Sequence, residues 1–227
     1  MNYPQYNELD KLIQEYEEDM QTIRSERLVM QNYPKVLTMS AASLFEFYIK
    51  KDCQSFIDNP ILSIDPNYPQ INTFFSRRKP VADQMFAKLE GYDDNGVEQL
   101  CAEPFYNLFG GNSFKNSIQN IFTSEKEGQI NNLDQRISGL ESLIEQDEKY
   151  AVDYIKLDDI KKELENCRME DAEKAYLSIK LRRNRVAHDY INGLSDTFAD
   201  IRKFYNIAVL YVVSLQKAIQ NLTNALE

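Results

Sequence analysis

A chain of 227 residues with 43% hydrophobic residues is long enough to bury one substantial core. Its charge of −10, from 36 acidic and 26 basic residues, argues against broad binding to polyanions, because counterion release needs many cationic contacts. Any nucleic-acid contact must therefore be local. No basic stretch leads into an apolar one at the N-terminus, and no run reaches the roughly 18 apolar residues of a membrane span. The expectation is a soluble cytoplasmic protein with no membrane association. Cys53, Cys101 and Cys167 form no C-x-x-C pair and have no histidine nearby to complete a zinc site, so they read as reduced, mostly buried thiols, with no metal and no cofactor expected.

The few glycines and prolines cluster between long periodic stretches, which predicts an all-α fold. Leu9, Leu12, Ile13, Tyr16, Met20 and Ile23 recur at steps of three and four and predict a first helix ending near Tyr33-Pro34. A second helix is expected from Pro34 to Ile57, with proline in its first turn. Residues 58 to 72, with three prolines, read as a loop. A third helix is predicted over Thr73 to Leu89, kinking or starting at Pro80 and closed by Gly91. A shorter one around Val97 to Leu108 ends at Gly110-Gly111, with Asn112 or Ser113 as the next cap.

Ile130, Leu133, Ile137, Leu140 and Ile144 keep a three-four alternation. Either a surface helix packs there on its neighbour, or residues 124 to 168 form an inserted helical arm that dimerises or meets a partner. One domain spanning 1 to 227 is expected in either case. Two last helices are predicted, from about Met169 to Ala187 and from about Ser195 to Leu226, the latter apolar on one side and central to the bundle.

The joint between them carries the chemistry. Lys180, Arg182, Arg183 and Arg185 place four cations within six residues, just before His188, the only histidine in the chain. At about 100° per residue, Asn184 and Arg185 share a helix face with His188, whereas Arg183 converges only if the helix unwinds or another surface completes the site. An arginine that neutralises phosphoryl oxygens, a histidine that moves a proton and an amide that holds geometry suit phosphodiester cleavage.

Arg183-Asn184-x-x-x-His188 resembles the R-x(4–6)-H motif of the HEPN superfamily, and the flanking helices are similar to the HEPN plan of an antiparallel helical bundle. The segment Leu37 to Ile57 resembles the second helix of larger HEPN families, with Glu46 at the position of their acidic residue. The resemblance implies a metal-independent endoribonuclease in which the RNA 2′-hydroxyl attacks the adjacent phosphate. It assigns Arg183 and His188 as the catalytic pair, Asn184 as their support, and Arg185, Arg182, Lys180 and Glu46 as phosphate-binding or supporting residues. It further implies a homodimer with the site in its cleft, a toxin or anti-phage role, and an antitoxin or other regulatory protein. His188-Asp189-Tyr190 resembles a toxin variant whose tyrosine is nucleotidylated, which marks Tyr190 as a modification site. The alternative is a non-catalytic HEPN module that binds a protein partner. A basic triplet, Arg77-Arg78-Lys79, is read as solvent-facing or as a contact for an RNA backbone.

Overall fold

The computed structural model describes residues 3–22, 27–59, 67–89, 102–144, 147, 150–191 and 194–226. Every regular element among them is helical: α1 (Asn7–Thr22), α2 (Arg27–Ile57), α3 (Pro69–Asn72), α4 (Val81–Ala87), α5 (Glu103–Tyr106), α6 (Asn112–Ile144), α7 (Ala151–Asn166), α8 (Met169–His188) and α9 (Phe198–Ala225). Short 3₁₀ turns precede α1 and follow α5. None of these helices is long and apolar enough to cross a membrane.

The core is organised around α9. Ile201, Tyr205, Ala208, Val209, Val212, Leu215 and Ile219 are buried, and so are the residues between them on neighbouring faces, because α2, α6 and α8 all pack on this helix. Burial on several sides obliges the polar groups of α9 to find partners. Gln216 does so on both ends of its amide: it accepts from the Tyr6 hydroxyl at 2.9 Å and donates to Asp52 Oδ2 at 2.7 Å. That pair of bonds ties α9 to α2 and to the N-terminal turn. Thr197 caps the start of the helix, its Oγ1 accepting from the Asp200 N–H at 3.2 Å while Asp200 accepts from the Thr197 N–H at 2.9 Å.

Phe45 of α2 meets Tyr6 and Tyr176 edge-on, at 5.4 and 6.1 Å between ring centroids, and stacks on Tyr205 at 6.0 Å. It therefore joins α2, α8, α9 and the N-terminus at one point. A second polar pin holds α5 in place: the Tyr106 hydroxyl lies 2.7 Å from Glu173 of α8 and 2.8 Å from the Tyr211 hydroxyl of α9.

Three predicted boundaries are corrected. Helix α1 is described to Thr22 and α2 from Arg27, and α2 passes through Pro34 rather than starting there. Proline is costly inside a helix by about 3 kcal/mol, and tertiary packing offsets it. Pro34 is buried, and its neighbour Tyr33 stacks on Tyr16 at 4.2 Å and donates to Asp19 at 2.9 Å. Residues 73–79 form turns, and α4 starts after Pro80, as one of the two expectations had it. The stretch 58 to 72 includes the short α3, with Pro69 in its first turn. Gly91, Cys101 and residues 97–100 lie outside the described residues, whereas Cys53 and Cys167 are buried free thiols.

The periodic seam in α6 is covered. Leu133 and Ile137 are buried, and Lys161 of α7 pairs with Asp134 at 2.5 Å, while Lys126 reaches the carbonyl of Cys167 at 3.1 Å. Contacts that run backwards along α7 as they run forwards along α6 define an antiparallel hairpin. Gly110 and Gly111, at φ +102° and +63°, supply the left-handed turn that launches α6.

Truncating Phe45 to alanine removes a ring buried among four segments, and urea denaturation is expected to register a loss of about 3 to 5 kcal/mol.

Candidate functional site

Helix α8 presents the motif. Its start is fixed by Asp171, whose carboxylate accepts from the Arg168 N–H at 3.2 Å and from the Arg168 guanidinium at 3.1 and 3.3 Å. The last turn carries Arg185 and His188, cations or potential cations where the helix dipole favours them. The helix stays regular through His188, and Asp189 N–H closes it onto the Arg185 carbonyl at 2.8 Å. No unwinding brings Arg183 round to His188, so the two lie about 140° apart around the helix axis.

Each side chain of the cationic cluster follows from its place on that wheel. Arg183 points toward α2 and is paired with Glu46, Nη2 to Oε2 at 3.0 Å, both side chains about one-fifth exposed. Its Nε is buried with no acceptor among the described residues, so the guanidinium holds more donor capacity than Glu46 uses. Lys180, one turn earlier on the same face, is 5% exposed and lies 3.8 Å over the Phe86 ring of α4. Arg182 turns the other way and grips Asp196 through two bonds of 2.9 and 2.8 Å, also bonding Ser178 and lying over the Phe204 ring at 4.5 Å. That bidentate pair fastens the connection after His188 back onto α8.

Arg185 and His188 are exposed and Asn184 is half-buried, which leaves these three at the surface of one helix face. His188 makes no ion pair or side-chain hydrogen bond with the described residues. Beyond it, Lys35 of α2 organises the turn: its ammonium donates to the Ile191 carbonyl at 3.2 Å and lies 4.8 Å over the Tyr190 ring. Tyr190 itself is 50% exposed.

The resemblance set Glu46 only as a supporting residue near the motif; the structure pairs it with Arg183, and sequence reasoning missed what else holds Glu46. Lys50, one turn along α2, pairs with Glu46 Oε1 at 2.7 Å and with Asp83 of α4 at 2.8 Å. The result is a chain of alternating charge, Arg183–Glu46–Lys50–Asp83, crossing three helices. Burial alone would raise the Glu46 carboxyl, but the hydrogen bond and charge of Lys50, with those of Arg183, outweigh it and hold the group below its ordinary value. Burial likewise opposes the Lys50 ammonium, yet Asp83 and Glu46 together push it up. The Glu46-x-x-x-Lys50 spacing was visible as an i, i+4 pair. Asp83 and Lys35 gave no sequence signal, since each meets the site only through tertiary packing.

A cleft of about 710 Å³ opens between α1, α6, α7 and α9, lined among others by Ile13, Glu17, Leu157 and Arg202, and contains none of the motif residues. Of the motif residues, Arg185 and His188 are exposed at the surface.

A carboxylate held low in the folded state adds stability above its unfolded value, and that contribution disappears as pH falls through the folded value. Acid titration followed by circular dichroism is therefore expected to destabilise the wild type more steeply than Glu46→Gln below the ordinary glutamate range. Equal slopes would show that the chain of charge contributes no net stability.

A family model described as RiboL-PSP-HEPN matches residues 5–221. No curated protein and no solved structure matches the chain. The matched span takes in every helix from α1 to the last turns of α9, and with it Glu46 on α2 and the Arg183–His188 motif on α8. The all-α bundle and the match over nearly its whole length place this chain in the HEPN superfamily, as a member of the RiboL-PSP-HEPN family.

Proposed function

We propose that the protein is a metal-independent endoribonuclease of HEPN type, acting in a toxin or anti-phage defence role. The observation that carries this reading is the division of labour on α8: an arginine with spare donors oriented by Glu46, and an exposed, unengaged histidine at the helix end with Asn184 one turn below it. In the reaction, His188 takes the proton of the RNA 2′-hydroxyl as the 2′-oxygen attacks phosphorus. The bond from phosphorus to the 5′-oxygen breaks, and a histidine, His188 or its equivalent in the second copy, gives a proton to the leaving 5′-oxygen. Arg183 stabilises the charge that gathers on the phosphoryl oxygens, and Asn184 orients imidazole or substrate. Arg185 is the exposed cation of the motif suited to an adjacent phosphate. The products are a 2′,3′-cyclic phosphate and a 5′-hydroxyl.

Arg183 and His188 of one chain diverge around the helix, and a second copy supplies the missing side of the site in this reading. Val36 and Phe47 lie three turns apart on one face of α2, each next to a residue that touches the motif segment, and Phe47 is 60% exposed. Ile191, 79% exposed, extends the apolar surface past His188. Apolar residues left in water beside a cationic site favour a homodimer across this face. A second reading, a non-catalytic module that binds a protein partner, draws on the same ion-pair chain, which would give Arg183 purely structural work.

Purified protein is expected to cut RNA in the presence of chelator and to leave cyclic phosphate ends. His188→Ala should lower the rate by about 10²- to 10⁴-fold, and Arg183→Ala by about 10²- to 10³-fold. Absence of cleavage by a well-folded dimer, or unchanged rates in both variants, would sink the nuclease reading and favour the binding module. Phe47→Asp should shift sedimentation from dimer to monomer and abolish cleavage together; a variant that remains dimeric and active would remove α2 from the interface.

A further inference from the structure

Of the features outside the motif, the turn before α4 stands apart because three cations without an ion pair among the described residues are adjacent there. Arg77, Arg78 and Lys79 are consecutive and exposed, and none is in an ion pair with a described residue. Many cations elsewhere on this acidic chain face carboxylates, as in Lys161–Asp134, Lys162–Asp158 and Arg168–Asp171; here three without such a pair among the described residues are consecutive. Three adjacent cations on a body of charge −10, with no ion pair to a described residue, repel one another, and their field is available to an external anion.

The turn is also built rather than incidental. Gln84 of α4, 9% exposed, donates from Nε2 to the carbonyls of Lys79 at 2.7 Å and Phe74 at 3.5 Å, so one amide clamps both ends of the segment. The Arg77 N–H closes onto the Phe74 carbonyl at 3.0 Å, and the Arg77 guanidinium lies 5.1 Å over the buried Phe74 ring. Between them Phe75 projects an aromatic ring that is 42% exposed. A half-exposed ring amid cations fits the combination that binds single strands, with bases stacking on the ring and phosphates meeting the charges.

Its position connects it to the motif. Lys79 precedes Asp83 by four residues, at most roughly 14 Å along the chain. Asp83 holds Lys50, which holds Glu46, which holds Arg183. We propose that the Phe75–Lys79 turn is a binding site for single-stranded RNA that delivers the strand to the Arg183/His188 site. This rests on the ribonuclease reading for the destination of the strand. Phe75 stacks a base, and Arg77, Arg78 and Lys79 contact successive phosphates. The turn supplies affinity while taking no part in the chemistry, so its loss raises KM and leaves kcat unchanged.

The test measures binding of a short labelled oligouridylate to the full-length His188→Ala protein by fluorescence anisotropy over a range of salt. Replacing Arg77, Arg78 and Lys79 together by alanine is expected to weaken binding at least tenfold at low salt. The slope of log affinity against log salt should become shallower by about 2, near 0.7 per lost phosphate contact on a single strand. Phe75→Ala should weaken binding on the order of tenfold without changing that slope. The triple Lys11→Ala, Lys162→Ala, Lys203→Ala removes the same net charge elsewhere and should have a much smaller effect. Equal effects of the two triples, or an unchanged slope in the turn variant, overturn the proposal. Retention of polyglutamate but not oligouridylate by the turn overturns it as well, in favour of an acidic protein partner. Cleavage assays on the otherwise native chain separate the two ideas: a protein that binds RNA through the turn yet never cuts it fails as a nuclease and keeps the RNA-binding turn. One that cuts with unchanged KM in the turn triple loses the turn and keeps the nuclease.

Discussion

Burial of α9 on several faces at once constrains everything else in this bundle. A helix covered on one side needs only an apolar stripe, but α9 is packed by α2, α6 and α8, and its polar residues must be satisfied inside. Gln216 meets that requirement through Tyr6 and Asp52, which fixes the rotation of α9 against α2 as well as its position along the axis. Once α2 is set in this way, α8 has one place to lie, with Tyr176 against Phe45 and Arg183 against Glu46. The aromatic contact and the ion pair come from consecutive residues of α2, Phe45 and Glu46, so packing and charge register the same two helices from adjacent positions.

The ion-pair chain makes the electrostatics of the site a property of three helices. Partly buried charges are costly unless each has a partner, and here every member but the terminal ones has two. Lys50 shares its charge between Glu46 and Asp83, and Glu46 between Lys50 and Arg183. Placement of α4 therefore bears on the arginine of α8 without touching it. Phe86 strengthens the coupling by lying under Lys180 at 3.8 Å and near Lys50 at 5.2 Å.

What could be read from the amino acids alone follows from the range of the interactions involved. The period of α9 and the end of α8 at the motif were legible from local pattern, and family resemblance singled out Glu46 on α2, though not its pairing with Arg183. The passage of α2 through Pro34 was not, because the local penalty is overridden by packing of Tyr33 on Tyr16, two residues far apart in sequence. The cationic cluster showed the opposite limit. Composition put four positive residues in six, yet the helical wheel sends Lys180 into the core and Arg182 to Asp196, and the four do not form one patch. Adjacent charges on a helix point in different directions, so a run of cations measures electrostatic strength only when it is unwound.

The same geometric point separates the two basic segments of this chain. In α8 the cations are spread around a cylinder and engaged one at a time by Glu46, Asp196 and an aromatic ring, so each has a specific local task. In the turn before α4 no helix disperses them, no carboxylate of the described residues pairs with them, and Gln84 holds the backbone that carries them. A protein with net charge of −10 gains long-range attraction for a polyanion only from charges of the second kind. In the proposed ribonuclease reading the motif, with its arginine already matched to Glu46, acts on a phosphate that has arrived, and cations outside it capture the strand.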